Sequence, residues 1–132
     1  MGIILPETYF HAPSVKNIRE YFKEHNICWL IDLPHNTFRP YCNAKCIILI
    51  LQKNKPQQSK INMAVAEEMG HNHNGSEIFR WDKELNKPTK LIWDDIESII
   101  EEINNPKKEN KYTFEVDSKI VLEKDIFVPR YY

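Results

Sequence analysis

The stretch Asp32-Leu33-Pro34-His35-Asn36-Thr37-Phe38-Arg39-Pro40-Tyr41 separates two apolar runs and carries the residues best suited to chemistry. A phenylalanine in a polar loop offers a π-face on which a planar base can stack, and Arg39 and Lys45 offer positive charge to a phosphate. The competing reading is that Phe38 tucks under the loop as a small satellite core, and composition alone favours it. Other spacings promise less. His71-Asn72-His73 puts two imidazoles in a turn, with no further Cys or His at metal-site spacing, so a solvated turn is expected and no metal. Cys42 and Cys46 lie four apart with no second pair and read as reduced structural thiols. Glu67-Glu68 and Glu101-Glu102 are adjacent carboxylates that face different ways and read as surface. Asn105-Pro106 is followed by Lys107 and Lys108 and reads as a helix stop.

The bulk properties bound what this loop can belong to. A chain of 132 residues, 42% hydrophobic and 28% charged, suits one soluble domain. A net charge of −1 gives no general affinity for polyanions, so a nucleic-acid contact has to come from a local patch. No apolar run approaches the roughly 18–20 residues that span a bilayer, and Met1-Gly2-Ile3-Ile4-Leu5 lacks the basic region and cleavage site of a signal peptide. Three cysteines, an odd number without a secretory signal, point to a reducing cytoplasm. The three glycines form neither a G-x-G-x-x-G nor a P-loop pattern, so no nucleotide cradle is legible.

An α/β arrangement positions the loop. Residues 2–5 predict a short buried strand stopped by Pro6. Residues 14–25 predict a helix, with Ser14 as N-cap, Val15, Ile18 and Phe22 on one face, and Asn26 as its stop. Residues 27–33 and 44–53 predict strands apolar on both faces, covered on both sides. The connection between them, residues 34–43, is too short for a parallel return, so the later strand runs antiparallel to the earlier one. The expected sheet is mostly parallel with one antiparallel strand. Further on, a strand is expected at 61–66, a helix at 94–104 with Asp94 and Glu97 at capping-box spacing, and a short strand at 112–116.

Residues 1–53 resemble the second half of the catalytic domain of N6-adenine DNA methyltransferases, above all the modification subunit of type I restriction-modification systems and related fused enzymes. "MGIILPE" is similar to the strand after that family's catalytic motif, and "VKNIREYFKEHN" to the helix that follows. "CWLIDLPHNTFRPYCNAKCIILILQK" is similar to its next strand, aromatic loop and antiparallel strand ending in Lys. "MGHNHNG", "WDDIESIIEEI" and "FVPRYY" resemble its C-terminal extension. The resemblance implies a partial methyltransferase-like (Rossmann-like) sheet over residues 1–53, and an α+β extension packed on it over 54–132.

It also implies roles. In that family the target adenine leaves the duplex and is held between the aromatic of Asn-Pro-Pro-Phe/Tyr and a ring from the loop matching residues 34–43, which here is Phe38. Pro34, Asn36, Thr37 and Tyr41 would shape the loop, and Arg39 and Lys45 would contact DNA phosphate. The family's S-adenosylmethionine turn and its Asn-Pro-Pro-aromatic motif have no counterpart in this sequence. The expected function is therefore a fragment of a site-specific adenine-N6 DNA methyltransferase with no catalytic residue of its own. It would be inactive alone and would bind no cofactor by itself. Its partners would be double-stranded DNA, through the parent enzyme, and the absent N-terminal half or a specificity subunit, with no membrane. The alternative is a non-enzymatic DNA- or subunit-binding module descended from such an enzyme. An unpaired sheet edge at residues 2–5 would favour self-association or pairing with the missing half.

Overall fold

The computed structural model describes residues 1–132. Its centre is a five-stranded sheet of β1 (Gly2–Pro6), β2 (Asn26–Asp32), β3 (Cys46–Gln52), β4 (Lys60–Val65) and β7 (Thr113–Asp117), in the order β1-β3-β2-β4-β7. Helices α1 (Lys16–Lys23), α2 (Ile96–Asn104) and α3 (Ser118–Lys124) pack around it. β5 (Phe79–Asp82) and β6 (Lys87–Ile92) form a separate two-stranded sheet. No helix is long and apolar enough to cross a membrane.

The two apolar runs do become strands, covered on both faces over most of their length, while Ile50 of β3 stays exposed. On one face Ile27 and Leu30 of β2 join Ile47, Leu49 and Leu51 of β3, closed over by Phe10, Phe22, Val121 and Phe127. On the other face Ile31, Leu33 and Cys46 pack with Ala64, Ile99 and Tyr112. Fully burying each large aliphatic side chain contributes roughly 1.5–3 kcal/mol, so these two clusters dominate the fold.

The sheet is less parallel than expected. β3 sits between β1 and β2 and is antiparallel to both, and β7 is antiparallel to β4. Only β2 and β4 form a parallel pair. The short 34–43 loop forces β3 back beside β2, which separates β1 from β2. The sheet also runs on past residue 53 through β4 and β7. β1 is mostly exposed rather than buried, because it is an edge with β3 as its single neighbour.

Local expectations shift by a few residues for identifiable reasons. Ser14 lies inside a 3₁₀ turn, Pro13–Val15, and does not cap α1, whose preceding residue Val15 makes no side-chain cap. Asn26 opens β2 instead of ending the helix, since its buried amide bonds Gln52, Gln57 and the Gln58 N–H. Asp94 does accept the Ile96 N–H, but α2 begins after Asp95.

Arg19 lies on α1 yet is 2% exposed. It donates to Asp125 at 3.1 and 2.8 Å and to the Ala12 carbonyl at 2.8 Å. Asp125 is the left-handed cap of α3 (φ 55°), so this pair ties the first helix to the last. Lys23 reaches Asp125 at 2.8 Å and keeps it partnered when Arg19 is removed. Arg19→Met should therefore cost about 2 kcal/mol, below the usual range for breaking a buried pair, measured by urea unfolding.

Candidate nucleic-acid interface

The loop after β2 rests on an ionic base. Asp32, the last residue of β2, is fully buried. Its Oδ1 lies 3.2 Å from Arg130 Nε and 3.3 Å from Lys45 Nζ. Arg130 also donates to the Ala66 carbonyl at 2.7 Å and to Glu67 at 3.0 Å. Lys45 reaches Glu7 at 3.3 Å. Burial pushes the Asp32 carboxyl above its ordinary range, and the Lys45 and Arg130 charges pull it only part of the way back. Residues 32, 45 and 130 thus close the mouth of the loop from both of its ends and from the chain's last turn.

Within the loop the backbone is pinned. Thr37 donates both its N–H and its hydroxyl to the Pro34 carbonyl, at 3.1 and 2.7 Å. Arg39 N–H bonds the Asn36 carbonyl at 3.0 Å, and Cys42 N–H bonds the Phe38 carbonyl at 2.8 Å. Pro34 is buried. These bonds fix the backbone around Pro34, Asn36 and Thr37.

Phe38 is half-buried and packs against the cluster of Ile31, Leu33 and Ala64. The two readings of this ring are compatible in space: it is seated on a core and part of it remains open. Tyr41 is 96% exposed. Arg39 bonds the Asn43 side chain, and its Nε has no partner. Lys45 lies between two carboxylates, which leaves less of its charge for a phosphate than Arg39 retains.

A second loop supports the first. His71 is not simply solvated: its ring nitrogens lie 2.8 Å from the Asn36 carbonyl and 3.2 Å from the Met69 carbonyl. The ring therefore latches residues 69–77 to the aromatic loop, while His73 stays exposed. Gly70 and Gly75 have φ of +83° and +85°, and a Cβ on Gly75 would come within 3.1 Å of Pro40. Between the loops runs an open groove of about 510 Å³ that Arg39, Pro40, Tyr41 and His71 help to line.

The floor of the second loop is Asp95, which is 1% exposed. It accepts the Glu67 and Glu68 N–H groups at 3.0 and 3.1 Å, the Tyr112 hydroxyl at 2.9 Å and the Trp93 indole at 3.3 Å. Burial pushes its carboxyl up, but these donors outweigh it and hold it below the ordinary carboxylate range. The sequence carries no sign of Asp32, His71, Asp95 or Arg130 as positioning residues. Their partners lie far along the chain, and each alone reads as surface or cap.

The model of the N-6 DNA methylase family matches residues 1–132. No curated protein matches the chain. The methyltransferase subunit of the type I restriction-modification system from Streptococcus thermophilus superposes with a TM-score of 0.63 at 21% identity, covering 98% of this chain and 26% of that one. The modification subunit of a putative type I restriction enzyme from Vibrio vulnificus YJ016 gives 0.60 at 16% identity, covering 91% and 23%. A structure described for complex assembly and conformational transition of the type I R-M system gives 0.61 at 15% identity, covering 96% and 26%. This chain spans about a quarter of the length of these structures. At such identities the likeness is one of fold, and it agrees with the α/β sheet and the sequence resemblance. The family match spans every residue and adds descent to that likeness: the chain belongs to the N-6 DNA methylase family.

Proposed function

We propose that this chain supplies the loop that stacks on the flipped target adenine of a site-specific N6-adenine DNA methyltransferase of the type I restriction-modification kind. The observation that carries this reading is Phe38. Its ring is seated on a core cluster and partly open, in a loop held at its mouth by Asp32, Lys45 and Arg130. Such a ring is a rigid platform, and stacking an unpaired base on one is worth about 1–3 kcal/mol. Arg39 provides the phosphate contact, and Lys45 chiefly holds the loop base. Residues 1–53 correspond on this reading to the back of the catalytic domain, and 54–132 to an extension that shares its sheet.

The residues present do not fit an S-adenosylmethionine cradle. Gly2 lies in an edge strand and Gly70 and Gly75 in a turn, and none opens a strand–helix turn. The cofactor and the Asn-Pro-Pro-aromatic clamp therefore come from the part of the enzyme outside this quarter, and the isolated chain transfers no methyl group. The edge of β1, with Ile3 and Ile4 exposed, suits pairing with that part or with a second copy. A non-enzymatic subunit-binding role is favoured by one observation, the exposed Trp81 and Leu91 of the β5–β6 hairpin.

The test is binding to a labelled duplex carrying a central mismatched adenine, whose extrusion costs least. Phe38→Ala should weaken binding by about 5- to 100-fold, while Phe38→Trp retains it, with circular dichroism reporting that both fold. Equal affinity of the Phe38→Ala and unaltered chains would sink the reading.

A further inference from the structure

Phe38 is not the ring that the loop offers most openly. Tyr41 is 96% exposed and has no aromatic or cationic partner. An exposed ring on a loose tip would carry little weight. This one sits on a backbone fixed by the bonds from Arg39 N–H and Cys42 N–H, and the loop is latched by His71. The Cys42 N–H to Phe38 carbonyl bond closes residues 38–42 into one turn, so the two rings leave the same turn.

The groove beside Tyr41 has the chemistry of a base site. The tyrosine ring supplies a stacking face. Glu77 and Asp94 also line the groove, and carboxylates repel phosphate but accept hydrogen bonds from base amino groups. Arg39, whose guanidinium bonds the neutral Asn43 side chain, is the group there suited to the sugar–phosphate chain. Gly75 lies so near Pro40 that a Cβ would come within 3.1 Å, and the His71 ring bonds Asn36, so the groove runs between two loops in contact.

We infer that Tyr41 and this groove form a second nucleobase contact, which takes the nucleotide next to the one stacked on Phe38. Extruding one base leaves its neighbour with an uncovered face, and a second ring on the same turn can restore part of that stacking. The inference rests on the function proposed above, but it concerns a different residue and a different base.

The experiment separates the two. The unaltered chain, Phe38→Ala, Tyr41→Ala and Tyr41→Phe are titrated against the mismatch duplex and against duplexes in which the mismatched adenine, its 5′ neighbour or its 3′ neighbour is abasic. Tyr41→Ala should weaken binding to the intact duplex at least about fivefold, and Tyr41→Phe should not. That loss should vanish on one of the neighbour-abasic duplexes, and the Phe38→Ala loss on the duplex abasic at the mismatch. No effect of Tyr41→Ala overturns the inference and leaves the Phe38 reading standing. A Tyr41→Ala loss that persists on both neighbour-abasic duplexes also overturns it, because the ring then reads no base. A silent Phe38→Ala with the expected Tyr41 pattern removes the function proposed for Phe38 and keeps the second contact. Failure of the unaltered chain to bind any duplex overturns both.

Discussion

Asp95→Ala should destabilise the chain by about 4 kcal/mol, lowering its melting temperature by roughly 12–20 °C. The substitution removes one carboxylate and strands four donors at once: the buried Tyr112 hydroxyl and the part-buried Glu67 and Glu68 N–H groups and Trp93 indole. A buried donor left without a partner costs about 1–3 kcal/mol, and water entering the gap relieves part of the sum. The same carboxylate sets the pH response. Asp95, Glu102 and Asp125 all lie below the ordinary carboxylate range; in each, burial pushes the carboxyl up and is outweighed by hydrogen-bond donors. For Glu102 these are the Lys111, Tyr112 and Thr113 backbone groups and the Thr113 hydroxyl; for Asp125 they are Arg19 and Lys23. Their contribution is full above the unfolded carboxylate range of about 4 and is lost as pH falls through their lower folded values. Asp32 has the opposite sign. Its raised folded value gives stability that is full below the unfolded range and is lost as pH rises through the folded value. Glu68, raised by burial and by its neighbours Asp95 and Glu67, acts in the same sense as Asp32. Losses on the acid side come from Asp95, Glu102 and Asp125. Urea midpoints measured at descending pH should fall more steeply for the unaltered chain than for Asp95→Ala. Parallel slopes would mean that Asp95 is not held ionised by its donors.

The consequence reaches the interface. Asp95 anchors the turn after β4 and the end of the hairpin, and Met69 bridges Asp94 beside it. The 69–77 loop leaves from that point and carries His71 to Asn36. A weakened Asp95 therefore loosens the support of the aromatic loop before it unfolds the sheet.

What the sequence disclosed follows from how local each signal is. The runs Ile27–Ile31 and Ile47–Leu51 are legible because a strand covered on both faces must be apolar at every position. β1 has the same look but a different setting, and only its place at the edge reveals that its apolar residues are uncovered. The β5–β6 hairpin escapes notice because Pro88 and three lysines interrupt it; Pro88 is tolerated opposite Trp81 because the ribbon has no further strand. α3 is short, and its start is marked by Asp117 accepting the Lys119 N–H, a cap that looks like any surface acid. Arg19 resembles a solvated helix residue until Asp125, 106 positions away, is placed against it. The Phe38 loop is readable as a loop from its residues, and the base-stacking role proposed for its ring is favoured over a satellite core only through resemblance. Its stiffness depends on His71 and Arg130, whose contacts no spacing rule anticipates.

Methyl transfer should appear when the chain is supplied with what it lacks. A purified fragment carrying a glycine-rich S-adenosylmethionine turn and Asn-Pro-Pro-aromatic, taken from a type I modification subunit with the segment matching this chain deleted, is mixed with it or fused ahead of Met1. Transfer of labelled methyl to adenine in duplex DNA should rise from none, for either piece alone, to a measurable rate. The β1 edge is the natural seam, because its outer N–H and C=O groups have no partner strand within the chain. Phe38→Ala in the reconstituted enzyme should lower kcat/KM by about 10- to 100-fold, the size of a lost base stack. Arg39→Ala should weaken DNA binding and its salt dependence while leaving the choice of base unchanged. A hybrid that assembles and binds cofactor but transfers nothing would deny the chain a catalytic partnership and leave it a binding module. A hybrid that transfers equally well with alanine at position 38 would keep the partnership and remove the ring from it. The two outcomes are separable because assembly is read from complex formation and cofactor binding, and base capture from the effect of Phe38→Ala on transfer.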